Sequence, residues 1–389
     1  MCSYFNFKVG GLEKHVYYLI RGLLKNRVKI TLITAYRDPY TNATIPPYRG
    51  EKLTIIPLKH IIAPFNNPLI LEISNILTKI GPDIIHIHDH YFYGSAISPI
   101  LKKIIKRPLV LTIHTSKLRY DNFLKDLVVD LYDTVVGSAI FRAADKIIAV
   151  SRTTAYELVK RGVPRRKVVY IPNFLTIDFR KNYDEKIYSN IKNEGRFKIL
   201  YVGRLVLRKG SHVLLRAFDI ALRNGFIPRD SILMIVGKGP LEFHLKEMIA
   251  ANLNLKERVI FWGTVSDIFL GTLYEASDIV ILPSLSGETT SLVLREAIYF
   301  MRPFIASLTG GIQDYLLEGF WGFYVPPGDA LALAKSLGKM YNLIIRNQAF
   351  VQKRVYENRE RLLRTYSSES IISKTLQVYN EVLSNWISR

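Results

Sequence analysis

Short β-branched apolar runs alternate with stretches of helical periodicity along most of this chain, and that alternation fixes the fold class. In the first half the strand-like runs are Val28–Thr34, Leu53–Pro57, Asp83–His88, Pro108–His114, Lys146–Ser151 and Lys167–Pro172. Amphipathic stretches such as Leu12–Asn26, Pro68–Ile80 and Ser95–Lys106 lie between them. Near-continuous apolar strands separated by helices predict a parallel sheet covered on both faces. The rhythm breaks at Leu175–Arg196, which is polar and charged. It restarts with Phe197–Val202, Ser231–Val236, Arg258–Trp262, Asp278–Pro283, Pro303–Ser307 and Gly322–Val325. The expectation is an α/β protein of two doubly wound domains, residues 1–175 and 197–365. From about Ala330 the pattern is purely helical and ends in a long amphipathic stretch, Glu369–Ile387. A doubly wound sheet opens with a strand whose turn carries glycines. Here Gly10 and Gly11 follow only nine residues, and Met1–Phe7 makes a poor strand. The true start is therefore expected upstream, or the strand is abbreviated.

A length of 389 residues suits two domains, and 49% apolar with 12% aromatic residues excludes a disordered chain. The single cysteine, Cys2, excludes an intrachain disulfide and a thiolate zinc site. No run reaches the roughly 18–20 apolar residues of a membrane span, and the N-terminus lacks the pattern of a signal peptide. The protein is expected in the cytoplasm, or as a peripheral protein on the inner face of the membrane. The formal net charge of +21 is steeper in the first half. It calls for nucleic acid, anionic lipid or phosphorylated small molecules as partners. The basic residues are dispersed over both halves without a recognition motif, so nucleic acid is set aside.

Several residues sit where parallel sheets place their chemistry. Gly10-Gly11 precede an apolar-periodic helix, a place where backbone N–H groups face an anion, or simply a turn. Gly203-Arg204 and Lys209-Gly210 flank the turn after the first strand of the second half, where a guanidinium fork and a point charge suit a diphosphate. Arg208 beside them either contributes or is solvated. Glu288 and Glu296, in PSLSGETTSLVLREAI, fall on a strand-end loop and in the second turn of the following helix. They either accept hydrogen bonds from sugar hydroxyls or are solvated acids at a helix start. Gly310-Gly311 offer a second anion-facing turn. His86, His88 and His90 alternate onto one strand face at a spacing of about 6–7 Å, too wide for simple chelation. No metal is therefore expected there, and no Asp-x-Asp motif holds one on a diphosphate. His114, at the end of the next strand, is better placed to orient a substrate. No Walker A sequence or serine-hydrolase elbow is present.

In order, the segments VGGLEKHV, IIHIHDH, LTIHTS, AVS, YIPN, VGRLVLRKG, VGKGP, VILPSLSGETTSLVLREA, TGG and VPPGD resemble the retaining glycosyltransferases of family 4. They run from Gly10 to about Asp329. The wording is most similar to the subgroup of the phosphatidylinositol N-acetylglucosaminyltransferase catalytic subunit and bacterial lipid mannosyltransferases. The resemblance implies the GT-B fold: two Rossmann-like domains facing across a cleft, with residues 366–389 as a helix crossing back to the first. It implies that Arg204 and Lys209 hold the diphosphate of a nucleotide sugar and that Glu296 meets the ribose. Glu288 would meet the donor sugar, aided by backbone at Gly310, Gly311 and Ile312, and Gly203 would also belong to the donor-binding set. Gly10 and Gly11 would cover the phosphate side, and His114 would lie against the sugar. The sequence departs from the family where Glu288-Thr289-Thr290-Ser291 replaces Glu-x-Phe-Gly. It departs again at Gln313, where proline is usual, and at Asp314, which replaces glutamate.

The expected reaction moves a hexosyl residue from a nucleotide diphosphate sugar with retention of configuration, with no cofactor and no metal. Fixed cations would stabilise the leaving diphosphate. The basic segments Lys102–Arg107 and Arg161–Lys167, with apolar Leu118–Ile140, point to an anionic membrane and a lipid or lipid-linked glycan acceptor. A soluble polysaccharide or sugar phosphate is the alternative acceptor. A sugar-nucleotide hydrolase or epimerase is the alternative activity.

Overall fold

The computed structural model describes residues 11–35, 46–58, 61–63, 67–69, 73–91, 93–114, 123–175, 189 and 196–388. The chain forms two compact units, Met1–Thr176 with Tyr366–Arg389, and Ile177–Thr365. Met1–Phe7, which makes a poor strand in the sequence, and Gly10 lie outside the described residues.

The first unit opens with α1 (Gly11–Lys25), β1 (Ile30–Ala35), β2 (Tyr48–Arg49) and β3 (Leu53–Leu58). Next come β4 (Ile61–Ala63), β5 (Asn67–Leu69), α2 (Ile73–Ile80), β6 (Ile85–His88), α3 (Tyr93–Ala96), α4 (Ser98–Ile105) and β7 (Leu109–Ile113). It continues through α5 (Phe123–Tyr132), a π turn (Asp133–Gly137), α6 (Ser138–Ala143), β8 (Lys146–Ala149), α7 (Arg152–Lys160) and β9 (Val168–Tyr170). Among the described residues β6-β7-β8-β9 form one parallel sheet, β1 and β3 pair in parallel with β2 antiparallel at the edge, and β4-β5 form a hairpin. Two expected helices are corrected. Pro68 pairs with Ile62 in the β4-β5 hairpin, so α2 begins only at Ile73. Ser95–Lys106 is split, because Pro99 opens a new helix at its first turn, where its missing N–H costs nothing.

The apolar face of α1 (Val16, Leu19, Ile20, Leu23) is buried. The C-terminal helix, Ser368–Ile387, belongs to this unit and places Ile371, Ile372, Val378 and Val382 in one cluster with Leu19, Leu23, Val110 and Ile148. Gly22 permits the contact, since a Cβ there would stand 2.3 Å from Ile372 Cδ1.

The second unit holds β10 (Lys198–Val202), α8 (Ser211–Arg223), β11 (Ile232–Val236), α9 (Glu242–Ala250), β12 (Val259–Gly263), α10 (Asp267–Ala276) and β13 (Ile279–Leu282). It continues with α11 (Leu292–Tyr299), β14 (Phe304–Ser307), α12 (Ile312–Leu317), β15 (Phe323–Val325), α13 (Ala330–Arg346) and α14 (Gln348–Thr365). Its strands are ordered β12-β11-β10-β13-β14-β15 and every pair is parallel. Counted from β10, this is the 3-2-1-4-5-6 order of a Rossmann sheet, which reverses between β10 and β13. Strand residues such as Ile199, Leu233, Ile281 and Ile305 are fully buried, as strands covered on both faces require.

Candidate active site

At the point where strand order reverses, consecutive helices leave on opposite faces, and the loops after β10 and β13 open a crevice at the carboxyl ends of the strands. The β10 loop carries Gly203 to Gly210, with Lys209 in a 3-10 turn. Gly210 has φ +68°, and a Cβ there would stand 1.9 Å from the Pro283 carbonyl oxygen, so glycine lets the β10 loop touch the β13 loop. Across that contact the Lys209 ammonium pairs with the Glu288 carboxylate, which is 4% exposed. Ser284 Oγ donates to the same carboxylate oxygen at 2.6 Å. Glu288 is thus a buried, doubly held acceptor, not a solvated helix-start acid.

The loop after β14 closes on this group. Gly310 has φ +51°, and a Cβ there would lie 2.0 Å from the Glu288 carbonyl oxygen. The Gly311 N–H donates to that oxygen at 2.6 Å, and the Ile312 N–H donates to Thr309 O at 3.1 Å. The Gly311 amide, expected to face an anion, braces the loop that shapes the Glu288 backbone, and the Ile312 amide closes a turn within the loop after β14. The Ile312 side chain is fully buried. Glu296 lies in the second turn of α11, half-buried, and accepts from the buried Tyr274 hydroxyl at 2.7 Å. Gly203 packs against the next loop, where a Cβ on Gly237 would stand 2.0 Å from Gly203 O. Arg204 is exposed and makes no ion pair among the described residues. The structure therefore unites Lys209, Glu288, Gly310 and Gly311 but leaves Arg204 outside their contacts.

Sequence reasoning missed Ser284 and Tyr274, and left Arg208 undecided. Arg208 leans on the β13 loop through Gly287 O at 3.4 Å. The departure at Ser291 has a structural use, because its side chain caps α11 by accepting from the Leu294 N–H at 3.1 Å. Arg295, 2% exposed, donates to Tyr315 OH at 3.0 Å, and that hydroxyl donates to Ser291 O at 3.1 Å.

In the first unit His114 follows β7 and is 8% exposed. Its Nε2 lies 3.1 Å from His88 Nδ1, and its ring meets His15 of α1 edge-on at 4.8 Å. Burial lowers His114 to a pKa of about 4, and burial together with the neighbouring imidazoles takes His88 well below its ordinary value. His86 stacks on His88 at 4.4 Å and bonds Tyr379 OH at 2.6 Å and Thr112 Oγ1 at 2.7 Å. The strand alternation stops there. Asp89 adopts φ +64° and turns His90 off the shared face.

His90 instead meets Asp133 Oδ1 at 3.1 Å, in the π turn, and Arg161 reaches Asp133 Oδ2 at 3.0 Å. Burial opposes charge on His90, but Asp133 and Asp89 outweigh it and raise its pKa. Among the described residues the imidazoles close enough to share an ion are His15, His88 and His114, with ligand atoms within 4.8 Å of one another. This set is not the 86/88/90 set weighed from sequence. Its His88–His114 contact is a ring-to-ring hydrogen bond. Of the two expected glycines, Gly11 is the first residue of α1.

The first half matches the Glycosyltransferase Family 4 model over residues 9–179, and the second matches the model for glycosyl transferases group 1 over residues 182–354. The chain belongs to these glycosyltransferases and has their GT-B fold. It is 25% identical to an uncharacterized glycosyltransferase of Methanocaldococcus jannaschii, over 95% of this chain and 94% of the relative. It is 24% identical to a phosphatidyl-myo-inositol mannosyltransferase of Mycobacterium leprae, over 99% and 96% of the two chains. In fold it is similar to Anabaena HepE, solved in complex with UDP-glucose, with a TM-score of 0.70 at 19% identity over 99% and 98% of the chains.

Proposed function

We propose that this glycosyltransferase takes its sugar from a nucleotide diphosphate sugar held at the reversal point of the second sheet. The observation that carries the reading is the Lys209–Glu288 pair, a cation and a buried acceptor joined where Rossmann sheets bind ligands. The complex of HepE with UDP-glucose supports the donor class. Lys209 stabilises the leaving diphosphate and Glu288 accepts from a donor-sugar hydroxyl. Glu296, oriented by Tyr274, accepts from the ribose. Arg204 supplies a second cation to the diphosphate. His114 has the first unit's part in the reaction. Gly310 and Gly311 fix the Glu288 loop, and Gly11 starts the first unit's leading helix.

Transfer proceeds with retention. The bond from the sugar's anomeric carbon to the phosphate oxygen breaks, and the acceptor hydroxyl bonds to that carbon on the same face. Its proton passes to the departing phosphate oxygen. Glu288 is engaged by Lys209 and Ser284, and this suits a carboxylate that positions the sugar better than one that attacks it. Fixed cations take the place of a metal ion.

The acceptor is a membrane lipid or lipid-linked glycan. Support comes from the outward face of α5 and its π turn, where Leu124, Leu127, Val128, Leu131 and Val135 are each more than half exposed at helical spacing. The relative that carries a phosphatidyl-myo-inositol mannosyltransferase name supports the same class. No helix among the described residues is long and apolar enough to cross a membrane; the contact proposed is peripheral, on the inner face. The donor assignment is tested by screening nucleotide sugars for thermal stabilisation of the whole chain. At least one should raise the melting temperature in the wild type and fail to do so in Lys209→Ala. No shift from any of them overturns the reading.

A further inference from the structure

We infer that the first unit carries a second anion-binding site, remote from its histidines, that takes a phosphate-ester group. It is a cavity of about 300 Å3 lined by Lys102, Arg142, Lys146, Arg166 and Lys167, with Trp386 of the C-terminal helix as an aromatic wall. That volume is at the lower end of small-ligand pockets. Lys146 opens β8, and Arg166 with Lys167 immediately precede β9, so the cavity lies at the amino-terminal ends of the parallel strands. His88 and His114 stand at the carboxyl ends of β6 and β7, on the opposite edge. The cavity gathers cations from both basic segments of the sequence, Lys102–Arg107 and Arg161–Lys167, which are remote from each other along the chain.

Its charge is arranged in two tiers. The inner lysines are held in place. Lys102 Nζ pairs with Asp145 at 2.8 Å and donates to Ala143 O at 2.7 Å. Lys167 Nζ donates to Arg142 O and Ala144 O at 2.8 and 2.7 Å. Lys146 Nζ pairs with Glu381 at 2.6 Å and donates to Arg166 O at 2.9 Å. The Lys102 and Lys167 bonds close the carboxyl end of α6, yet carbonyl acceptors leave the lysine charge in place. Five cations face two carboxylates, so an excess of positive charge remains. The outer tier is Arg142 and Arg166, both exposed and neither paired with a carboxylate among the described residues. Arg142 Nε donates to Ser138 O at 3.2 Å, which leaves its terminal N–H groups, together with the Arg166 guanidinium, above the fixed ammonium groups to match the oxygens of a phosphate ester, which accepts paired N–H donors. Half-buried Trp386, with Lys102 Nζ 5.6 Å from its ring centroid, gives the non-phosphate part of the ligand a flat apolar surface. The site stands independently of the donor reading, since none of its residues belongs to the second unit.

The ligand is either a soluble phosphorylated molecule or a lipid headgroup, and two arms of one experiment separate them. The probes are inorganic pyrophosphate, and phosphatidylcholine vesicles with and without phosphatidylserine. The protein is the full chain carrying Lys209→Ala, which takes the proposed donor site out of the readout. Pyrophosphate binding is followed by tryptophan fluorescence, with Trp386→Phe identifying the reporting ring, and vesicle binding by co-sedimentation. Arg142→Glu/Arg166→Glu, at two exposed positions, is the test variant. Saturable pyrophosphate binding that weakens at least tenfold in the variant, without vesicle binding, assigns a soluble ligand. Co-sedimentation with phosphatidylserine vesicles that the variant loses assigns the headgroup. Wild-type behaviour of the variant in both arms, or no response of Trp386 and no vesicle binding before the substitution, overturns the site.

Discussion

Removing the charge of Lys209 while keeping its length, as in Lys209→Met, strips the Glu288 carboxylate of its cation. The Glu288 side chain is 5% exposed and that of Lys209 19%, so water replaces little of what is lost. Breaking a buried ion pair from one side costs about 3–5 kcal/mol. The Ser284 hydroxyl still donates to the carboxylate, which favours the low end, about 3 kcal/mol. In a unit of this size each kcal/mol lowers the melting temperature by roughly 2–4 °C, so the transition should fall by about 6–12 °C. Lys209→Met/Glu288→Gln removes the stranded charge and should recover most of that loss, giving a coupling of about 2 kcal/mol or more. Calorimetry of the full-length wild type, both single variants and the double variant supplies the cycle. The double variant should regain its fold without regaining nucleotide-sugar turnover, because the pair is assigned to the ligand as well as to the loops. If Lys209→Met melts within about 0.5 kcal/mol of wild type and the two changes add, the pair does not hold the β10 and β13 loops together.

Other parts of the structure give further expectations. Gly210→Ala combines a left-handed φ with a Cβ 1.9 Å from Pro283 O. It should cost more than the roughly 1–2 kcal/mol of the backbone strain alone, which denaturant titration would show, and should weaken nucleotide-sugar binding. His114, lowered by burial to about 4, binds a proton in the unfolded chain from about pH 6.5 downward but in the native protein only near pH 4. The unfolded state binds more protons in that window. Stability is therefore complete above pH 6.5 and falls as the pH drops toward 4, by on the order of 3 kcal/mol. Thermal melts across that range check this, and a flat profile contradicts it. His90 carries the opposite sign, because its raised pKa lends stability below its unfolded value that is lost as pH climbs through the native one. Asp133→Asn should lower the His90 pKa, a change visible in a histidine NMR titration.

The two-unit architecture was legible because buried parallel strands must be nearly all apolar. The runs at Phe197–Val202 and Asp278–Pro283 therefore mark β10 and β13 to within a residue or two. Helix interruptions were less visible, since Pro68 and Pro99 fit a helical pattern until a hairpin partner or a first-turn position claims them. Within the site, Lys209 and Glu288 stood out by charge at strand ends. Ser284 and Tyr274 did not, because a serine after a strand or a tyrosine within a helix is ordinary until folding brings it against a carboxylate. The histidines misled in one respect. Alternation places His86, His88 and His90 together only while the strand lasts, and the positive φ of Asp89 ends it. The partner that His114 acquires from α1, His15, has no local signal at all, being 99 residues away in sequence.

Lys209 is proposed to grip a nucleoside diphosphate. This is tested most directly by calorimetric titration of UDP, and of other nucleoside diphosphates if UDP is silent, into the wild type and into Lys209→Ala at neutral pH. A charge-assisted hydrogen bond worth about 1.5–3 kcal/mol predicts one-site binding that weakens by about 10- to 100-fold in the variant. Equal affinity in the two proteins, or no binding of any nucleoside diphosphate to the wild type, would mean that Lys209 does not hold the diphosphate.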